Sequence, residues 1–145
     1  GDWSSDVCSS DLRWIVGAYS LADGDVRAGR LFDDAVARCS WPIELHNASA
    51  EAYWEELGDG HLHTVPLRSL LHRDADNLAA AGRCIDGENV AMSSVRVMGP
   101  CIAMGVAAAH ALRLTGSGSV HQIDWVAMRA AISDNLDRND PYPGE

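Results

Sequence analysis

Arg96 opens the most unusual stretch of this 145-residue chain. Val97, Met98, Gly99, Pro100 and Cys101 follow it, and then a run of almost wholly small or apolar side chains reaches Leu114. A guanidinium beside a helix amino terminus adds a full positive charge to a cluster of backbone N–H groups, which suits an anionic or electron-accepting ligand. An ordinary salt-bridging arginine is the alternative. Upstream, Gly82-Arg83-Cys84 closes a short apolar stretch, residues 78–81, with a glycine turn. His46 and Glu44 alternate with Ile43 and Leu45, so they share the polar face of a strand. There His46 is a candidate acid or base, against a structural strand histidine. His61 and His63 also share a strand face, but zinc needs further ligands at a recognisable spacing, and none occurs. No metal is expected, and both read as surface histidines. Cys84 and Cys101 are either redox-active thiols or buried inert ones, the second being preferred.

Short elements must position these groups. Residues 14–21 alternate and carry Ile15, Val16 and Tyr19, predicting a strand. Helical turns are expected around Asp33, Asp34 and Ala35-Val36-Ala37. Residues 42–46 read as a second strand, 48–57 as a polar connector, 61–66 as strand-like, 68–71 as a helical turn and 78–81 as a brief buried strand. A polar loop then leads through residues 93–98 into a long Ala/Gly-rich helix, with Gly99 at its N-cap and Pro100 in its first turn. Residues 115–119 stop that helix. Residues 123–136 predict a last amphipathic helix with Trp125, Val126, Met128, Ala131 and Ile132 inward.

The segment from Asn77 to Leu114 resembles the carboxy-terminal flavin-contacting segment of FAD-dependent oxidoreductases. Upstream runs are similar too: Arg13-Trp14-Ile15-Val16-Gly17 with Asp25-Val26, Gly29-Arg30 and Phe32; Trp41-Pro42-Ile43-Glu44-Leu45-His46; and Val65-Pro66-Leu67-Arg68-Ser69-Leu70-Leu71. The resemblance implies an α/β fold, the carboxy-terminal part of a Rossmann-like FAD-binding flavoprotein. It implies FAD as cofactor and a small-molecule substrate. Gly82, Arg83 and Cys84 would approach the ribityl chain, with Asp86 nearby for a hydroxyl. Ser94, Val95, Arg96, Val97 and Met98 would pass under the isoalloxazine, and the helix start through Cys101 would aim its amides at the ring. Arg96-Val97-Met98-Gly99-Pro100 more distantly resembles the R-L-G-G-N segment of fumarate-reductase-like flavoproteins, where an arginine clamps a substrate carboxylate. Arg96, from this resemblance, and His46, from its place on the polar strand face, are the expected catalytic residues. Relatives often carry histidine where Asn89 stands, and Asn89 does not titrate near neutral pH.

No GxGxxG follows a strand, so the adenosine half of an FAD site is absent from this sequence. Residues 2–12 read like a translated sequencing adapter, which would make this chain a fragment whose missing N-terminal half completes the site. The expected division is 1–12 as artefactual leader, 13–76 as part of the substrate or cap region, 77–115 as the FAD-contacting strand, loop and helix, and 116–145 as linker, terminal helix and tail. The isolated piece would be inactive. The competing reading is a non-enzymatic α/β binding module, and a cysteine hydrolase is a weaker third.

Composition excludes other classes. All 11 basic residues are arginine, which removes a P-loop, Schiff-base or general-base lysine from this chain. A formal charge of −10 disfavours nucleic acid and anionic membranes. No apolar run reaches the roughly 18 residues of a membrane span. With Cys8 in the suspected leader, Cys39, Cys84 and Cys101 remain, an odd number without CxxC spacing, and they do not form a disulfide framework. A cytoplasmic site is the default, any signal peptide lying upstream.

Overall fold

The computed structural model describes residues 13–46 and 52–137. The leader, the tail from residue 138 and residues 47–51 lie outside them. Among the described residues the architecture is mixed: short antiparallel strands against five α-helices. Strands β1 (Ala35–Cys39) and β4 (His63–Pro66) form one two-stranded sheet, and β2 (Ile43–His46) and β3 (Ala52–Glu55) form another. Helices are α1 (Asp23–Arg27), α2 (Asn89–Val95), α3 (Met98–Thr115), α4 (Trp125–Ala131) and α5 (Ser133–Asp137).

β1 is where the helical turn was expected. Ala35, Val36, Ala37 and Cys39 are all buried, and the strand pairs with the fully buried β4 in the register Ala37↔Val65 and Cys39↔His63. Burial on a sheet overrides the helical preference of alanine. β3 likewise replaces part of the expected connector, because Tyr53 and Trp54 suit a strand and face Leu45 and Glu44 of β2. β2 and β4 fall where the sequence placed strands, and Leu67–Ser69 is a 3₁₀ turn, close to the helical turn expected over 68–71.

Residues 14–21 do not form a regular strand. Their hydrogen bonds alternate between two segments: Ile15 N–H to the Cys84 carbonyl at 3.0 Å and Leu21 N–H to Asp86 at 3.1 Å, but Ala18 N–H to Leu71 at 3.0 Å and Tyr19 N–H to Arg68 at 3.2 Å. A single partner strand never runs beside them, so only isolated bridges form, Gly17↔His72 and Leu21↔Gly87. Gly17 is required here: a Cβ would lie 2.8 Å from the Asp86 Cβ. Residues 78–81 also shrink to one bridge, Leu71↔Ala79, with Leu78 exposed.

The stretch expected as a loop into residue 98 is mostly α2. Arg96 caps it with φ −77° and ψ 0°, Val97 is extended, and the chain bends by 94° into α3. α3 begins one residue before Gly99, so Val97 is its N-cap, and Pro100 sits in the first turn where its missing N–H costs nothing. The helix stops at Gly116, whose φ of +58° suits glycine. Only one face of α3 packs inside: Pro100, Met104, Ala107 and Ala111 are buried, whereas Ile102 and Val106 are exposed.

The last helix divides. Asp124 caps α4 by accepting from the Val126 and Ala127 amides, and Ile132, at φ −114° and ψ 20°, breaks the run before α5. Met128 and Ile132 point inward, but Val126 is 80% exposed rather than buried. Asn135 joins the layers: its Nδ2 donates to the Val36 carbonyl of β1 and the Ala103 carbonyl of α3, each at 3.0 Å. The core runs between them through Val36, Val65, Leu70, Ile85, Val95, Met104, Met128 and Ile132. No single helix among the described residues is long and apolar enough to cross a membrane.

Candidate functional site

The 94° bend sets the geometry. It leaves Arg96 at the end of α2 and Met98-Gly99-Pro100 at the start of α3 on the wall of one open groove of about 1150 Å³. The facing wall is the end of β1 and the loop to β2, namely Arg38, Cys39, Ser40 and Trp41. Asp134 and Asn135 of α5 close one end.

No side chain caps α3. Pro100 has no N–H, and the Cys101 amide bonds to the Val97 carbonyl at 3.1 Å. The other first-turn amides belong to Met98 and Gly99, both exposed on the groove. A helix start of this kind carries positive potential. Gly99 has nothing within 4 Å of where a Cβ would stand, so a flat ring meets no steric barrier there. Met98 at 82% and Ile102 at 68% exposure offer an apolar surface beside it. The Arg96 guanidinium donates to the Glu44 carbonyl at 3.0 Å, which tethers it to β2 at the groove edge. Apolar side chains, amide donors and a guanidinium on one wall fit the isoalloxazine of a flavin.

The Gly82–Cys84 turn is a 3₁₀ turn packed on the first turn of α3. Gly82 has φ +63°, a left-handed conformation that suits glycine, and the turn lies beside the Cys101 side chain. Arg83 is exposed and Cys84 half-buried, its carbonyl held by Ile15. Cys101 donates its thiol to the Arg96 carbonyl at 3.1 Å. Burial pushes that thiol up, against the opposing pull of Arg83, which fits an inert cysteine. Asp86 accepts the Gly17 N–H at 2.8 Å.

The remaining expected residues divide. Val97 is half-buried and lines the groove with Arg96 and Met98. Ser94 and Val95 are fully buried, so their side chains face the core rather than the groove. His46 closes β2 opposite Ala52, and its side chain lies outside the described residues. His63 is not a surface histidine: it is 1% exposed, and burial followed by the neighbouring His61 pushes its imidazole down to about 4. Among the described residues no group of three or more His, Cys, Asp or Glu side chains could hold a metal ion.

Sequence reasoning missed the second wall. Cys39 and Trp41 lie more than fifty positions before Arg96, and only the tertiary fold brings them together. Cys39 is buried beside Ser94, and burial pushes its thiol up as well. The Trp41-Pro42 pair after an apolar strand was the one local signal of a turn there.

The family model for FAD dependent oxidoreductase matches residues 11–132. Neither the curated proteins nor the solved structures contain a match to this chain. A family match over this much of the sequence establishes that the chain belongs to the FAD dependent oxidoreductase family, whose cofactor is FAD.

Proposed function

We propose that this chain supplies the isoalloxazine and ribityl side of an FAD site at which a hydride or electron pair passes between an organic substrate and the flavin. The observation that carries this reading is the shared groove of Arg96 and the uncapped start of α3. FAD supplies the two-electron chemistry when bound. The residues of the chain bind and orient. The amides of Met98 and Gly99 favour negative charge on the ring, and fixed donors of this kind need no reorganisation as the charge appears. Arg96 stabilises charge on the flavin or on a substrate carboxylate, as in fumarate-reductase-like flavoproteins. The Gly82–Cys84 turn, held against Cys101, is the ribityl contact.

On this reading residues 77–115 form the cofactor-contacting unit and 13–76 belong to the substrate or cap side. The adenosine half comes from a Rossmann-like segment outside this sequence, which holds no GxGxxG. Residues 2–12 are then an adapter-derived leader.

The experiment is to restore the upstream reading frame, express the protein and record its visible spectrum with added FAD. A bound yellow chromophore is expected, and its absence would count against the proposal. Arg96→Ala is expected to lower kcat/KM by about 10- to 100-fold, the range for losing a charged hydrogen bond, and to weaken turnover more than folding. Unchanged kinetics would remove the role given to Arg96.

A further inference from the structure

β4 carries His63 into the core, directly opposite Cys39 of β1. Its Nε2 lies 3.2 Å from the Ser94 hydroxyl. That hydroxyl donates to the Trp41 carbonyl at 2.6 Å. A serine hydroxyl has one proton. With that proton committed to Trp41, the bond to His63 runs the other way, and Nε2–H donates to Ser94. The tautomer follows: Nδ1 carries the lone pair. Nδ1 is buried without a hydrogen-bond partner. A buried unpartnered nitrogen is a cost that leucine, of similar bulk, would not carry. What the imidazole supplies and leucine does not is the Nε2–H bond to Ser94.

Ser94 is in turn a junction. The Cys39 thiol donates to its backbone carbonyl at 3.5 Å, and the Trp41 N–H donates to the Cys39 sulfur at 3.4 Å. The 39–41 loop is thus fastened to the end of α2 two residues before Arg96. Those are the two walls of the groove: Cys39, Ser40 and Trp41 on one side, Arg96 to Pro100 on the other.

We propose that His63 is a positioning residue for this groove: by donating to Ser94 it holds the serine hydroxyl on the Trp41 carbonyl and so sets the distance between the loop and the α2–α3 bend. The flavin consequence rests on the groove being the flavin seat. His63 touches neither flavin nor substrate and acts through Ser94 and Trp41.

Two measurements test it. Long-range ¹H–¹⁵N imidazole spectra of the wild-type chain at pH 7 should show His63 as the Nε2–H tautomer, with its Nε2 resonance moving in Ser94→Ala. An Nδ1–H tautomer, or an unmoved resonance, overturns the proposal without requiring any His63 variant to fold. The indole resonance of Trp41, identified through Trp41→Phe, should then move alike in His63→Leu and Ser94→Ala, with no further movement in the double variant. His63→Gln, which keeps an N–H donor at similar reach, should restore the wild-type position. Additive shifts, or no rescue by glutamine, would defeat the idea. In the FAD-bound protein, His63→Leu should weaken FAD about tenfold and His63→Gln much less. Coupled Trp41 shifts with an unchanged FAD Kd would keep the strut and instead remove the groove as the flavin seat.

Discussion

Burial pushes the imidazole of His63 down to about 4, and His61, whose ring centroid lies 5.3 Å away, adds to the shift. The unfolded chain binds a proton near pH 6.5, whereas the native chain refuses it until about 4. Stability from this residue is therefore complete above about 6.5 and falls as the pH drops toward 4, by on the order of 3 kcal/mol. Urea unfolding of the wild type at pH 7.5 and 4.5 should show that loss. His63→Gln, which does not titrate, should remove most of it; an equal slope in both proteins would contradict the assignment. Asp25 behaves differently. Its burial raises the carboxyl, but the Tyr19 hydroxyl at 2.6 Å, Arg30 at 2.8 Å and the Ala22 amide at 3.0 Å together hold it below the usual range. It contributes above the ordinary carboxylate pKa and is lost only as the pH falls through its own lowered value.

Between elements, Asn135 forms a three-way joint. One amide group donates to β1 and α3 at once, so α5 acts as a clasp over the helix that starts the groove. Asn135→Ala removes both bonds and leaves the Val36 and Ala103 carbonyls without that donor. A loss of about 1–3 kcal/mol is expected in urea unfolding, with faster hydrogen exchange over residues 133–137. A change below about 0.5 kcal/mol would show that the clasp is ornamental. Element type was legible where local chemistry and burial agreed. β2 and β4 alternate or run apolar, and α3 has the Pro-in, Gly-out punctuation of a helix. It failed at β1, where alanine-rich sequence is taken into a sheet by pairing with β4, and at residues 14–21, whose hydrogen bonds are split between two segments.

Across the whole molecule, α3 presents an uncovered apolar stripe. Met98, Ile102, Val106 and Leu112 are exposed, and Gly105 has open space beside it. Exposed stripes of this kind mark contact surfaces or association liabilities. The triple change Met98→Ser, Ile102→Ser and Val106→Ser should lower binding of a hydrophobic dye and narrow the size distribution of the chain in light scattering. Because these side chains pack against little within the chain, melting should shift only slightly. Unaltered dye binding would place the adhesive surface elsewhere.

By itself the sequence determined the residue types of the segment from Gly82 to Cys101, the small-sided helix that follows its arginine, the turn that Gly82 permits and the family to which these belong. Such features are local: a glycine with positive φ, a proline in a first turn and a run of small side chains are written in adjacent positions. Only the tertiary structure decided that Arg96 looks across a groove at Trp41, that Ser94 turns inward and that His63 is buried behind it. Those facts depend on contacts about thirty to fifty-five residues apart, made where the pairing of β1 with β4 takes their apolar side chains out of water.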